Sequence, residues 1–139
     1  MGTIIINMVD MFYSFLKRNS QLQDIDFVEE FPPMYKENPL HKVTIVIGLE
    51  SSDVLPSDEP DAPANQYVVR VRIRMNIHAP ITSSGRACMD AFSRLMQEAV
   101  TSLSEVTGFG CEGTKFDRST ATLYMKAWTD CRFSTAIGS

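Results

Sequence analysis

The sequence predicts an α+β fold: a mostly antiparallel four-stranded sheet with two helices packed on one face, and a long β-hairpin carrying a mobile acidic loop. Three observations predict it. Two segments, 4–18 and about 84–105, repeat apolar residues at three- and four-residue intervals. Two others, 42–50 and 67–78, alternate with a period of two. Between these last two lies an acidic, proline-bearing stretch that has nothing to pack.

In the first helix, Ile5, Met8, Phe12 and Leu16 form the stripe, widened by Val9 and Phe15. Lys17 and Arg18 fall in its last turn, where cations complement the helix dipole. A weak extended piece, Asp26–Glu30, is closed by Pro32-Pro33, and Pro39 interrupts the chain again. The strand Lys42–Glu50 sets Val43, Ile45, Ile47 and Leu49 on one side; its other side is also largely non-polar, as in a central strand. The strand Tyr67–His78 alternates more sharply. Tyr67, Val69, Val71, Ile73, Met75 and Ile77 face one way; Arg70, Arg72, Arg74, Asn76 and His78 face the other. At roughly 3.3 Å per residue it is about 40 Å long.

Residues 51–65, with Pro56, Pro60 and Pro63, are expected to form the mobile loop joining these strands. Pro80 ends the second strand. Ser83 or Ser84 is placed to cap the second helix, whose apolar face runs through Cys88, Phe92, Leu95, Ala99 and Leu103 to a stop at Gly108 and Gly110. Two strands, about 109–117 and 120–134, then pair about a turn at Asp117-Arg118-Ser119. No repeat and no second domain interrupt residues 1–139, so one domain is expected.

Composition narrows the function. Of 139 residues, 44% are hydrophobic and 22% charged, a globular rather than a disordered balance. No apolar run reaches the length of a membrane span, since Ile4-Ile5-Ile6 is stopped by Asn7 and Asp10. A cleaved secretion signal is not expected either, because no base precedes that run. Cys88, Cys111 and Cys131 are odd in number and far apart, which suits free thiols or small apolar fillers. The net charge of −4 is local: setting aside Glu50, Asp53, Asp58, Glu59 and Asp61 leaves 13 bases against 12 acids. Such a balanced body is not that of a general nucleic-acid binder.

Catalytic and cofactor motifs do not emerge. Gly108-Phe109-Gly110-Cys111-Glu112-Gly113 spells a dinucleotide fingerprint but follows a helix and enters a strand, the reverse of what a pyrophosphate needs. The thiols lack a C-x-x-C spacing, and His41 and His78 lack partners at i+4, so no metal site is expected. No nucleophile elbow occurs and no framework separates the pKa values of two carboxylates. Catalytic, cofactor-binding and metal-binding residues are thus all expected to be absent.

What stands out is Arg70, Arg72 and Arg74, three guanidiniums along about 14 Å of one strand face. They read as a solvated face, as an interface for acidic partners such as the acidic loop of a neighbouring copy, or as a phosphate-binding row. Trp128 and Tyr124 are the aromatics expected on that side.

Taken together, the N-terminal helix, the long hairpin with its acidic loop, Ala79-Pro80, the segment from Gly85 through Cys88 to Glu105, and the closing hairpin with Lys115-Phe116-Asp117-Arg118 at its turn resemble the tail terminator (tail completion) proteins of long-tailed bacteriophages and prophages. The resemblance covers nearly the whole chain and is one of architecture, size and rhythm. It implies a structural, non-enzymatic protein without cofactors, which caps the tail tube as a homo-hexameric ring and joins it to the head connector. The implied partners are further copies of itself, the tail tube protein and the head-tail connector protein, with DNA near the lumen but no sequence-specific nucleic acid and no membrane. The implied location is the virion tail, and the bacterial host cytoplasm during assembly. Arg70, Arg72 and Arg74 then face a neighbouring subunit or the lumen, with Glu50, Asp53, Asp58, Glu59 and Asp61 as partner or projecting loop. The competing reading is a small ligand-binding or enzymatic α+β domain with a pocket between helix 84–105 and the sheet.

Overall fold

In the computed structural model, which describes residues 2–29 and 41–137, the fold is α+β with two helices and a mixed sheet of six strands. The elements run α1 (Gly2–Arg18), a 3-10 turn (Ser20–Leu22), β1 (Asp26–Glu29), β2 (Thr44–Pro56), β3 (Gln66–Pro80), α2 (Ala87–Ser102), β4 (Val106–Cys111), β5 (Lys115–Asp117) and β6 (Thr122–Ala136). The sheet order is β1-β2-β3-β6-β4, and β5 pairs with β6 beyond the end of β4.

β3 is central because its alternation is strict. Val69, Val71, Ile73, Met75, Ile77 and Ala79 are buried toward the helices, while β2 and β6 pair along its two edges. The stripe of α1 packs on β1, β2 and β3 through Met8, Phe12 and Leu16. α2 packs on β3, β6 and β4 through Cys88, Ala91, Phe92, Leu95 and Ala99. Both helices therefore share one face, and among the described residues the opposite face carries no helix.

The sheet is larger than the sequence suggests, and it is not wholly antiparallel. β1 joins the edge in parallel with β2, with Phe27 buried opposite Ile45. The expected strand 109–117 is divided at Glu112-Gly113-Thr114 into β4 and β5. The expected closure by Pro32-Pro33 and Pro39 lies outside the described residues.

A second correction concerns the acidic stretch. Residues 51–56 belong to β2, and the connection to β3 is only 57–65. The cause is a β-bulge at Glu50: Leu49 opposes Ile73, but Ser51 opposes Arg72. Before the bulge, residues 45, 47 and 49 share the helix-facing side with Ile77, Met75 and Ile73; after it, Ser52 and Val54 do. The extra residue moves Asp53 to the open face. Turns within the connection are held by Ala62 N–H to Glu59 O and Gln66 N–H to Pro63 O.

The second helix is also shorter than 84–105. It starts at Ala87 with Arg86 at the N-cap and no side-chain cap, because Ser84 Oγ is used in a turn, accepting from Arg86 N–H at 3.1 Å. It ends where Leu103 turns extended (φ −119°), and Gly108 and Gly110 lie inside β4 instead of stopping the helix.

Since residues 58–62 make no element of the sheet, replacing them with a short glycine-containing turn is expected to leave the fold intact. The change in unfolding free energy should stay within about 1 kcal/mol, the scale of a modest loop-length change. Thermal unfolding followed by circular dichroism checks this.

Candidate functional site

Because the helices occupy one face of the sheet, the non-core residues of β3 stand on the other, and Arg70, Arg72 and Arg74 form a row there. Each finds a carboxylate in its own chain. Arg70 donates through Nε and Nη2 to the two oxygens of Asp53, both at 2.8 Å. Arg72 makes the same fork to Asp130 at 2.8 and 3.0 Å. Arg74 Nη1 donates to Glu50 Oε1 at 2.6 Å. Register explains the pairs: Asp53 lies directly across from Arg70 on β2, Asp130 across from Arg72 on β6, and Glu50 is the bulged residue between Leu49 and Ser51.

Asp53 is drawn below the usual carboxylate range by the hydrogen bonds from Arg70. The pairs are largely solvent-exposed, so each adds little to stability. What the Arg70–Asp53 and Arg72–Asp130 pairs do is geometric, since a bidentate fork fixes both side chains. Arg132 sits directly opposite Arg70 on β6, a like-charge pairing that Asp53 balances from the other flank.

Of the acids singled out from the sequence, Glu50 and Asp53 are brought to the arginine row, in the same chain. Asp58, Glu59 and Asp61 stand exposed in the 57–65 connection, and no described contact joins them to it. Asp130 is the partner that sequence reasoning missed; only the β3–β6 register reveals it.

Trp128 completes the surface. The guanidinium carbon of Arg72 lies 5.1 Å from the centroid of its ring, so the cation occupies a place where a nucleobase would stack. On β4, Gly110 is the register partner of Trp128, and a Cβ built there would overlap the indole. This accounts for one glycine of the fingerprint-like run. Gly110 gives room to an aromatic side chain, and no helix N-terminus follows it.

Toward the end of β3, His78 is half-buried, with Nδ1 3.0 Å from Thr122 Oγ1 and its ring 4.9 Å from that of Tyr124. Tyr124 donates in turn to Asn76 Oδ1 at 3.3 Å. Burial holds the imidazole below its usual range, and the Asp117 charge partly offsets this. Cys88 and Cys131 are buried in the core, and burial pushes their thiols up to about 11 and about 12, so neither is a thiolate at neutral pH. Among the described residues, no group of three His, Cys, Asp or Glu side chains is placed to hold a metal ion. No buried side-chain nitrogen or oxygen among them lacks a hydrogen-bond partner.

The described residues include open grooves on two parts of the surface. One, about 560 Å³, runs beside the arginine row past Asp53, Arg70, Asp130 and Arg132; another, about 390 Å³, lies between α1 and β2 beside Asp10, Tyr13 and Glu29. The sheet-facing side of α2 is filled by core side chains. No protein-family model matches the chain, and no curated protein matches it.

Two outcomes are expected. Gly110→Ala should cost about 1–3 kcal/mol by displacing the indole, and much less in a Trp128→Ala background, as urea unfolding of the single and double variants would show. For His78, the fold favours the neutral ring, so the unfolded chain takes up its proton first as pH falls. Stability should decline as pH is lowered from about 6.5 toward the folded-state pKa and level off below it. His78→Gln should remove that part of the pH dependence of the urea midpoint.

Proposed function

We propose that this chain is a structural tail protein of a bacteriophage or prophage, a tail terminator that caps the tail tube as an oligomeric ring and joins it to the head connector. The observation that carries the reading is the division of the sheet: both helices on one face, and on the other a ladder of fixed arginine–carboxylate pairs beside Trp128. A broad face with side chains already ordered suits contact between rigid bodies, because little side-chain entropy is left to lose on docking. Heterologous contact between two different faces of identical copies closes into a ring when the rotation allows.

In this reading the open face lies against a neighbouring subunit or the lumen. The 57–65 connection, carrying Asp58, Glu59 and Asp61, reaches the next copy or the tube. The protein does no chemistry, uses no cofactor and works in the virion tail after assembly in the host cytoplasm. Pairing within the chain leaves the arginine row nearly compensated, which favours a surface that DNA passes over a surface that grips it.

Light scattering coupled to size exclusion, at several concentrations and two salt levels, tests the proposal. A closed oligomer of about six copies, loosened by salt, is expected. Asp58→Lys together with Asp61→Lys should weaken assembly by about tenfold or more while leaving the melting curve of the monomer unchanged. A chain that stays monomeric at every concentration and salt level, with purified tube protein added, overturns it.

A further inference from the structure

At the β5–β6 turn, three hydroxyls and a carboxylate form a chain whose direction is determined. Asp117 accepts from Ser119 N–H at 3.1 Å and from Ser119 Oγ at 2.8 Å through Oδ1, and from Thr120 Oγ1 at 3.0 Å through Oδ2. Thr120 Oγ1 lies 2.7 Å from Thr122 Oγ1, which lies 3.0 Å from His78 Nδ1. Hydrogen bonds from Ser119 and Thr120 hold Asp117 below the usual carboxylate range, so it is ionised and only accepts.

A hydroxyl has one hydrogen. Thr120 gives its hydrogen to Asp117, so Thr120 Oγ1 accepts from Thr122. Thr122 has then spent its own hydrogen, and its oxygen accepts from the ring. We propose that Asp117 sets the tautomer of His78 through Thr120 and Thr122, placing the hydrogen on Nδ1 and leaving Nε2 as the lone-pair nitrogen. His78 is thereby a hydrogen-bond acceptor and proton acceptor of fixed orientation on the open face, in the row that holds Thr44 on β2 and Tyr124 on β6. Its surroundings from each element are Thr44 from β2, Thr122 and Tyr124 from β6, and Asp117 from β5, which among the described residues is the charged group that acts on it. Protonation adds a hydrogen at Nε2 and leaves the chain to Asp117 unbroken. Acid therefore turns this nitrogen from acceptor to donor without dismantling the turn.

The test is long-range ¹H–¹⁵N NMR of the imidazoles, with His78 assigned by comparison with His78→Gln, at a pH where the ring is neutral. In the unmodified protein Nδ1 is expected to be the protonated nitrogen. Asp117→Asn keeps the shape but can present an amide N–H to Thr120. That reverses each hydroxyl in turn and should move the hydrogen to Nε2, a change in the tautomer ratio of about fivefold or more, the weight of one ordinary hydrogen bond. Thr120→Val cuts the chain and should release the preference without inverting it. A ring protonated at Nε2 in the unmodified protein, or a ratio indifferent to both substitutions while the amide spectrum stays dispersed, overturns the proposal. If Asp117→Asn does not fold, the unmodified protein and Thr120→Val decide it.

Discussion

Everything in this fold depends on β3 being paired on both edges while only one of its faces is apolar. A strand flanked by β2 and β6 has its backbone groups satisfied, so what remains to be placed is two rows of side chains. The row from Val69 to Ala79 demands cover, and α1 and α2 both supply it from the same side. Once that face is covered, the arginine row has nowhere to go but the other one. The open surface is thus the complement of the core, produced by the same alternation.

The bulge at Glu50 adjusts this plan. A strand of strict period two has one choice of phase along its whole length. One added residue lets β2 send Ile45 and Ile47 inward in its first half and Asp53 outward in its second, against Arg70. The added residue is itself used, since its carboxylate reaches Arg74. Pairing, burial and charge compensation are therefore settled together in a few residues.

This also separates what the sequence could reveal from what it could not. β3 and the face of α2 were legible because their periods are long and unbroken. The far half of β2 was not: its phase changes at Glu50, its residues are mostly polar, and it ends at Pro56. Local composition there resembles a loop, and only the ladder offered by β3 makes it a strand. The start of α2 is hidden in the sequence because a serine before a helix can serve a turn as readily as a cap, as Ser84 does. The arginines of the site were visible from their spacing alone. Their partners were not, because Asp130 lies 58 residues from Arg72 and pairing at that distance is a property of register. Gly110 was visible as a glycine, but its reason, the indole across the ladder, was equally non-local.

The position of Trp128 has an optical consequence. It is the one tryptophan in the chain, and it lies outside the core, half-exposed between the Gly110 backbone and a guanidinium. Emission excited at the red edge of the indole band therefore reports on the open side of the sheet and is blind to the packing of the helices. Whatever comes to rest on that side changes the polarity around the fluorophore, so the native chain carries its own label where contact would occur.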